Sequence, residues 1–173
     1  MEHSTAVRLI KDGVVNTPSP QVWAEFGAGT GTFTLALAEL LPVQSTIYAV
    51  DKNESAVDSI RLKTPNITLK KIHGDFARTV AVPRLNGLLM ANALHFISDK
   101  LPFISHLQGY LQTDGRIIFV EYERKIANPW VPYPITFHDL SELIKQSGFK
   151  SIARIGEAPS RFSNGSMYSA VVA

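Results

Sequence analysis

Short apolar segments alternate with helical patterns along most of the chain, and this alternation limits the fold more than any other feature of the sequence. The apolar segments are rich in branched and aromatic residues, which favour β-strands, and several have no polar face. Five of them lie at residues 22–26, 46–50, 67–72, 87–91 and 116–122. Strands that alternate with helices are typical of βαβ units, so we expect a mostly parallel sheet covered by helices on both faces.

The helical patterns complete this arrangement. They are predicted at residues 5–15, 32–41, 54–63, 98–111 and 137–146, and Asn53 is expected to cap the third of them. Two further strands are predicted at residues 151–155 and 166–172, and the loop 156–165 between them is too short for a crossover helix. These strands should therefore be antiparallel neighbours. The predicted fold is doubly wound, Rossmann-like α/β, with a mostly parallel seven-stranded sheet whose last strand is antiparallel.

Length and composition fit one globular domain over residues 1–173, in which residues 1–20 form an N-terminal helix and a small lid segment. No apolar run approaches the roughly 20 residues that a membrane-spanning helix needs, so a membrane partner is not expected. The start of the chain lacks the pattern of a secretory signal, and the sequence contains no cysteine. These features predict a cytoplasmic protein, and no metal site is expected.

Residues 25–31 read E-F-G-A-G-T-G and connect the first predicted strand to the helix after it. Open α/β sheets bind ligands at such places, beyond the carboxyl ends of their strands. Glycine at positions 27, 29 and 31 lets the backbone turn tightly and approach a ligand without interference from Cβ atoms. The N–H groups at the start of the helix favour a ligand that is partly anionic.

Two classes of cofactor use a glycine-rich loop at this position. Dinucleotide sites follow G-x-G-x-x-G, but this spacing requires glycine where the chain has Thr32 or Thr34. An acidic residue at the entrance, Glu25, would repel a pyrophosphate and attract an ammonium group. The loop therefore suits a ligand whose cationic and anionic ends lie close together, such as the amino acid portion of S-adenosylmethionine.

With these residues the chain resembles the class I S-adenosylmethionine-dependent methyltransferases, in particular their small, bacterial-type members. The first motif of that family is E/D-x-G-x-G-x-G, and A-E-F-G-A-G-T-G-T-F-T matches it. The resemblance implies that the loop binds the cofactor through Glu25, Gly27, Ala28, Gly29, Thr30 and Gly31. It also implies that Asp51, in I-Y-A-V-D-K-N, accepts from the ribose hydroxyls and that Lys52 lies at the same site.

Two later segments extend the resemblance. In H-G-D-F-A, after the third predicted strand, Asp75 would accept from the adenine amino group and Phe76 would pack against the ring. In M-A-N-A-L-H-F, after the fourth, Asn92 has the position at which the family lines the junction between methionine and methyl acceptor. An Asp beside a Gly is also a common turn, and this alternative stays open for Asp75.

The residues for the methyl acceptor are less strongly constrained. Methyl transfer from a sulfonium is an in-line displacement, so the protein mainly positions the reactants, and His95 is best suited to act as a base where one is needed. Prolines in N-P-W-V-P-Y stiffen the loop after strand five. We expect a wall for a small, flat or partly cationic acceptor, formed by Glu121, Tyr122, Trp130 and Tyr133. Simple packing of His95 or Trp130 onto the fold is the alternative.

The predicted function is methyl transfer from S-adenosylmethionine to a small-molecule acceptor. Two alternatives stay open: an NAD(P)-dependent oxidoreductase, and a non-catalytic S-adenosylmethionine-binding module. Nucleic acid is not an expected partner, for two reasons. The chain has N-A-L-H at the position where DNA and RNA amino methyltransferases have N/D-P-P-Y/F/W. In addition, its basic residues form only a small, interrupted cluster. The absence of cysteine also argues against an arsenic acceptor. We expect a monomer, or a homodimer in which a second subunit completes the acceptor pocket.

Overall fold

A computed structural model describes residues 1–160 and 165–173. These residues form one sheet, whose strands are Val22–Phe26 (β1), Thr46–Asp51 (β2), Thr68–His73 (β3), Leu85–Ala91 (β4), Leu111–Tyr122 (β5), Ile152–Pro159 (β6) and Ser166–Val172 (β7). The strand order is β3-β2-β1-β4-β5-β7-β6. Strands β1 to β5 pair in parallel, whereas β7 is antiparallel to both of its neighbours, β5 and β6. The predicted fold is confirmed.

Helices cover both faces of this sheet. They are His3–Ile10 (α1), Thr32–Leu40 (α2), Glu54–Ser59 (α3), Lys100–Leu107 (α4) and Phe137–Gln146 (α5), with short 3-10 turns at Lys11–Gly13, Leu94–Phe96 and Gln108–Tyr110. In the described part of the chain, no helix is both long enough and apolar enough to cross a membrane. The order of the strands reverses between β1 and β4, which opens a crevice at their carboxyl ends.

The central strands are buried on both faces, which explains why their sequences are apolar throughout. In β5, Ile117 and Phe119 pack on the side of α4 and α5, whereas Ile118 and Val120 pack on the side of α1 and α2. Trp23 in β1 is fully buried and lies over Gly87 of β4, where a Cβ would be 2.4 Å from its ring. This packing fixes the ends of β1, β4 and β5, at which the predicted site lies.

The third helix is shorter than predicted. Asn53 caps it as expected, since its Oδ1 accepts from the N–H of Ala56 at 3.1 Å. The helix ends at Ser59 rather than at residue 63, because Ile60 leaves the helical conformation, with φ −63° and ψ 130°. The Ile60 side chain is buried against Gly31, a long-range contact that helical periodicity does not reveal.

Other boundaries differ where distant contacts shape the chain. The fifth strand begins at Leu111, which pairs with Leu85, rather than at residue 116, and this ends the predicted helix 98–111 early. Strand β6 continues to Pro159, which pairs with Ser166, so part of the predicted loop 156–165 is strand. Residues 161–164 of that loop lie outside the described residues. The first helix ends at Ile10, because the next turn is 3-10 and brings Gly13 against Ile118.

Candidate active site

The loop after β1 folds back onto the end of β2. Gly27, Gly29 and Gly31 have φ angles of 81°, 51° and 86°, which residues with a side chain rarely adopt. The N–H groups of Gly27 and Ala28 donate to the carbonyl oxygen of Val50, at 2.9 and 3.0 Å. These bonds tie the loop to the neighbouring strand, so the backbone arrives at the crevice between β1 and β4 in a fixed shape.

The three glycines differ in what surrounds them. A Cβ atom at Gly27 would lie 2.7 Å from the Cβ of Ala93, and one at Gly31 would lie 2.8 Å from the side chain of Ile60. A Cβ at Gly29 would meet none of the described atoms within 4 Å. Packing therefore requires glycine at positions 27 and 31, whereas Gly29 presents bare backbone to open space that a ligand can fill.

Helix α2 begins directly after the loop. Gly31 is its N-cap residue and provides no side-chain cap, so the N–H groups of the first turn have no intrahelical partner. Thr30 is exposed on the loop, and Ala28 is buried beneath it. The end of the helix therefore offers hydrogen-bond donors and a partial positive charge to an anionic group, as the sequence predicts.

Asp51, the last residue of β2, supports the middle of the loop. Its Oδ2 accepts from the N–H of Gly29 at 2.7 Å, and its Oδ1 accepts from the N–H of Asn53 at 2.8 Å. Each carboxylate oxygen can accept a second hydrogen bond, so Asp51 keeps capacity for two hydroxyl donors. Lys52 is exposed, and its Nζ lies 5.9 Å from the centroid of the Phe96 ring.

Glu25 lies beneath the loop rather than at its entrance. Its side chain is 1% exposed and accepts from the hydroxyl of Thr34 on α2. Burial raises the pKa of the Glu25 carboxyl to about 8; the bond from Thr34 lowers it, and the nearby charge of Asp51 raises it further. The expected position at the mouth of the site is thus corrected: a direct contact with a ligand would require the loop to move.

Phe76 lies next to the glycine-rich loop, and Asp75 is exposed after β3. The Phe76 ring stacks on Phe26 with 6.3 Å between centroids, and its Cε1 lies 3.3 Å from the position of a Cβ at Gly27. Asp75 Oδ1 accepts from the N–H of Ala77 at 3.0 Å. This bond forms the turn that the sequence left open as an alternative, and it leaves the second carboxylate oxygen for another donor.

Asn92 follows β4 with a strained backbone and an unsatisfied side chain. Its φ angle is 53°, and its N–H donates to the carbonyl of Val120 at 2.8 Å. Its Oδ1 is buried and has no hydrogen-bond partner among the described residues. A buried acceptor without a donor is costly and marks a place where a bound molecule can supply one.

A cavity of about 320 Å³ opens beside Asn92. It lies between the start of α1, the start of α2 and the carboxyl ends of β4, β5 and β6, and its lining residues are Met1, Glu2, Thr5, Arg8, Thr32, Asn92, Tyr122, Pro159 and Met167. Burial raises the pKa of the Tyr122 hydroxyl, and the charge of Glu121 adds to this effect. The cavity therefore joins two predicted residues, Asn92 and Tyr122, to residues of α1 that the sequence did not assign individually.

His95 and Glu121 form a buried pair on the other side of the sheet. His95 is 2% exposed, and its Nδ1 lies 2.7 Å from Oε2 of Glu121. The second oxygen, Oε1, accepts from the N–H groups of Ala93 and His95, at 3.1 and 3.2 Å. Because a carboxylate only accepts, Nδ1 carries a proton, and in the neutral imidazole the lone pair is therefore on Nε2. Glu121 thus fixes both the backbone after β4 and the orientation of the imidazole.

The aromatic wall is only partly assembled. The N–H of Tyr133 donates to the carbonyl of His95 at 3.0 Å, and Nζ of the buried Lys100 lies 5.6 Å from the Tyr133 ring centroid. Trp130 is 78% exposed in a turn that Asn128 closes, and it is not among the residues that line the cavity. Trp130 therefore does not pack onto the fold in this structure.

The predicted acceptor residues are divided between the two faces of the sheet. Glu121 and Tyr122 are consecutive in β5, so their side chains point to opposite faces. Tyr122 lines the cavity beneath α1, whereas Glu121 bonds His95 from the other face, and the His95 ring still lies 6.0 Å, between centroids, from the Tyr122 ring. Sequence position alone suggested one wall because all of these residues lie at or after the ends of strands.

Comparison with protein families identifies the chain. Residues 24–119 match the family model described as "Methyltransferase domain". The chain belongs to this family, the class I S-adenosylmethionine-dependent methyltransferases. It is therefore an enzyme of this class with S-adenosylmethionine as cofactor, and the alternatives of an NAD(P)-dependent oxidoreductase and of a non-catalytic module are not supported. A comparison with curated proteins found no significant match.

Solved structures share the fold, and two of the three named here are methyltransferases. Magnesium protoporphyrin IX methyltransferase from Synechocystis, crystallised with S-adenosylmethionine, has a TM-score of 0.67 and 24% identity over 98% of this chain and 77% of that one. A methyltransferase from Leishmania major has a TM-score of 0.75 and 16% identity, over 97% and 72% of the two chains. The YcgJ protein of Bacillus subtilis has a TM-score of 0.70 and 12% identity, over 99% and 97%.

Two observations show that the site of this methyltransferase fits its cofactor. The open space at Gly29 lets a ligand contact the backbone directly. The Oδ1 of Asn92 has no hydrogen-bond partner among the described residues and can accept from a donor such as an ammonium group. Gly29 also donates to Asp51, which retains acceptor capacity. Sequence reasoning missed the pairing of His95 with Glu121, although they lie at the carboxyl ends of the adjacent parallel strands β4 and β5, a signal that could have indicated the contact.

Proposed function

We propose that the methyl acceptor is a small molecule and that it binds in the cavity beneath α1. The observation that carries this proposal is the cavity itself, which reaches the unsatisfied Asn92 at the crevice between β1 and β4. Its volume of about 320 Å³ lies at the lower end of the range for small-molecule sites, and a nucleic acid or a folded protein would not fit inside it. The start of α1 forms one wall, which supports the expected role of residues 1–20 as a small lid.

We propose that the cofactor is held by the residues around the glycine-rich loop, with Glu25 beneath the loop rather than in contact with the ligand. We assign the ribose hydroxyls to Asp51, the adenine ring to the neighbourhood of Asp75 and Phe76, and the ammonium group to Oδ1 of Asn92. When bound, S-adenosylmethionine supplies an electrophilic methyl group on its sulfonium. The protein's own contribution is to align the acceptor with that group, an effect worth roughly 7 to 11 kcal/mol in well-oriented reactions.

His95 is proposed to take a proton from the acceptor. The Nδ1–H bond to Glu121 orients the ring and stabilises the imidazolium, the same relation that links histidine and aspartate in serine proteases. Nε2, with no hydrogen-bond partner in the described part of the chain, is the atom that would receive the proton. His95 does not line the cavity, but its ring centroid lies 6.0 Å from that of Tyr122, which does. This role therefore requires the acceptor to reach past Tyr122 or the loop after β4 to shift.

The acceptor site can be tested by filling it. Thr5→Trp places a large ring in the cavity, and Ser4→Trp places the same ring at an exposed position of α1. With methyl-labelled cofactor and a small-molecule fraction of a cell extract, we expect transfer by the wild type and by Ser4→Trp but not by Thr5→Trp. All three should bind S-adenosylhomocysteine equally in calorimetry. Label found only in the macromolecular fraction, or undiminished transfer by Thr5→Trp, would refute the proposal.

A pH profile tests the role of His95. If its imidazole accepts a proton, His95→Gln should lower kcat by about 10² to 10⁴ and remove the rise of kcat with pH, with cofactor affinity unchanged. Glu121→Gln should shift that rise and lower kcat less. Variants that lose activity but keep the wild-type pH profile would assign the pair a structural role instead.

A further inference from the structure

A second groove lies at the opposite end of the sheet from the active site. Its volume is about 1090 Å³, and it is formed by the amino ends of β4 and β5 and by the turn between α5 and β6. Along β5, six residues separate Arg116, in this groove, from Tyr122, at the cavity, which corresponds to roughly 20 Å of strand. The groove is therefore separate from the cofactor and acceptor sites.

Cations dominate the lining of this groove. Arg84, Arg116 and Lys150 all line it, and Asp114 is the acidic residue among its lining residues. In the described ranges of the chain, none of the three cations has an ion-pair partner. Arg84 Nη1 donates to the carbonyl of Leu111 at 3.0 Å, which holds one guanidinium at the edge of the groove. Three positive charges that share a cavity repel one another, and an anion would relieve that repulsion.

Arg116 is the least satisfied of these cations. Its side chain is half-buried in the floor of the groove, and its Nε is fully buried without a hydrogen-bond partner among the described residues. A guanidinium has five N–H donors in a planar fork, which matches the oxygens of a phosphate group. Leaving the buried Nε–H unpaired is costly, so the position favours a bound oxyanion.

The groove also has side chains that can contact a planar, polar group such as a nucleobase. Phe149 is half-buried and lines the groove. The side-chain amide of Gln108 lies beside Gly148 and makes no hydrogen bond to another described residue. An aromatic ring next to an amide can stack on a base and bond its edge. The volume exceeds what one phosphate group needs and accommodates a molecule of nucleotide size.

We propose that this groove binds a small phosphorylated ligand of nucleotide size, with its phosphates on Arg84, Arg116 and Lys150 and its base against Phe149. The assignment depends on the geometry and charge of the groove and goes beyond methyl transfer. Asp114 limits the affinity, because it faces the same anion.

Calorimetry with ATP, pyrophosphate and inorganic phosphate tests the proposal, on the full chain saturated with S-adenosylhomocysteine and in roughly 150 mM salt, which screens distant surface charges. The saturation excludes binding of ATP at the cofactor site. We expect ATP to bind more tightly than pyrophosphate, and pyrophosphate more tightly than phosphate. Arg116→Gln and Arg84→Gln/Lys150→Gln should each weaken ATP binding by about tenfold or more, and Arg116→Lys should weaken it less.

Two controls make the result specific. Asp114→Asn should tighten ATP binding by about two- to fivefold, because it removes the opposing charge. Lys11→Gln/Lys63→Gln removes two exposed cations elsewhere and should change the affinity less than about twofold. The proposal is overturned if ATP fails to bind, or if the affinity for ATP falls as the concentration of S-adenosylhomocysteine is raised. It is also overturned if the Lys11 and Lys63 control loses as much affinity, or if a short single-stranded RNA binds more tightly than ATP. Asp51→Ala, which should weaken the binding of S-adenosylhomocysteine but leave the affinity for ATP unchanged, separates failure of this site from failure of the methyltransferase site.

Discussion

At the scale of single residues, Asp51 links the cofactor loop to the strand beside it. Its carboxylate already accepts from two backbone N–H groups, those of Gly29 and Asn53, and still has acceptor capacity for a ribose. One side chain therefore shapes the loop and binds the ligand. Loss of the carboxylate should affect cofactor affinity in both ways, by removing bonds to the ligand and by freeing the loop.

The first prediction concerns that residue. Asp51→Ala should weaken the binding of S-adenosylhomocysteine by about 1.5 to 3 kcal/mol, the range for hydrogen bonds to a charged group. Asp51→Asn, which keeps one acceptor oxygen, should lose less. Calorimetry at constant pH and salt measures both, with thermal unfolding as a check that each variant folds. An unchanged dissociation constant for Asp51→Ala would refute the assigned role.

The second prediction concerns Glu25 and the pH dependence of stability. Its pKa is raised to about 8 in the folded state, from 4.5, so between these values the folded protein binds a proton that the unfolded chain releases. The stabilisation from the protonated form is complete below about pH 4.5 and is lost as the pH rises through 8. Relative to Glu25→Gln, the wild type should therefore lose roughly 3 to 5 kcal/mol of unfolding free energy from about pH 5 to about pH 9.

Urea denaturation at those two pH values measures this difference. Glu25→Gln keeps an oxygen that accepts from Thr34, so it isolates the titration from the packing. Asp12→Asn, which removes an exposed carboxylate, serves as the control and should keep the pH dependence of the wild type. If Glu25→Gln and the wild type lose stability in parallel, Glu25 does not titrate in this range.

Residue types and spacing predicted most of the candidate cofactor site, and burial explains what they missed. The motif placed Glu25 correctly on the strand before the loop, but only the packing of α2 shows that Thr34 covers its carboxylate. Likewise, His95 was found as a titratable residue after β4. Its partner Glu121 was assigned to an acceptor wall, because a sequence does not show which face of the sheet a strand-end side chain occupies.

At the scale of elements, the glycine-rich turn between β1 and α2 has two separate requirements. One is internal: Gly31 leaves no room for a Cβ beside Ile60, and its φ of 86° is strained for any other residue. The other is external: Gly29 has room on the protein side but faces the space that the cofactor would fill. Substitution by alanine should therefore affect fold stability at Gly31 and cofactor binding at Gly29.

The third prediction uses that contrast. Gly31→Ala should destabilise the fold by roughly 2 to 4 kcal/mol, the sum of a left-handed backbone penalty and an overpacked contact. Gly29→Ala should cost only about 1 to 2 kcal/mol of stability but should weaken S-adenosylhomocysteine binding by tenfold or more, because its methyl group lies in the ligand space. Denaturant unfolding and calorimetry on both variants separate the effects. Equal losses of stability would contradict this reading of the turn.

The types of the elements were predictable, because the periodicity of a sequence depends on which faces are buried. Several boundaries of the elements were not predictable. Strand β1 and helix α5 were predicted with the bounds that the structure has, since turn and cap residues flank them. The end of α3 and the start of β5 depend on Ile60 beneath Gly31 and on Leu111 beside Leu85, contacts between residues far apart in the chain. Local propensity carries no information on such contacts.

At the scale of the whole molecule, the two ends of the sheet carry different sites. The carboxyl ends of the parallel strands hold the family's cofactor site and the cavity, and the amino ends hold the basic groove. Between them, strands that are buried on both faces form a rigid connection. A ligand at one end should therefore stabilise the whole fold through the sheet rather than only the loop that it touches.

The last prediction tests that coupling of binding to folding. A ligand present at about 100 times its dissociation constant stabilises the native state by about 2.7 kcal/mol. For a chain of this size that corresponds to a rise in Tm of roughly 5 to 10 °C. S-adenosylhomocysteine and S-adenosylmethionine should both produce this rise, with NAD at equal concentration producing none. In Asp51→Ala the rise should be smaller at the same ligand concentration, because the dissociation constant is larger. A comparable shift with NAD would mean that the loop does not discriminate against a pyrophosphate, and the argument from the glycine spacing and Thr32 would be wrong.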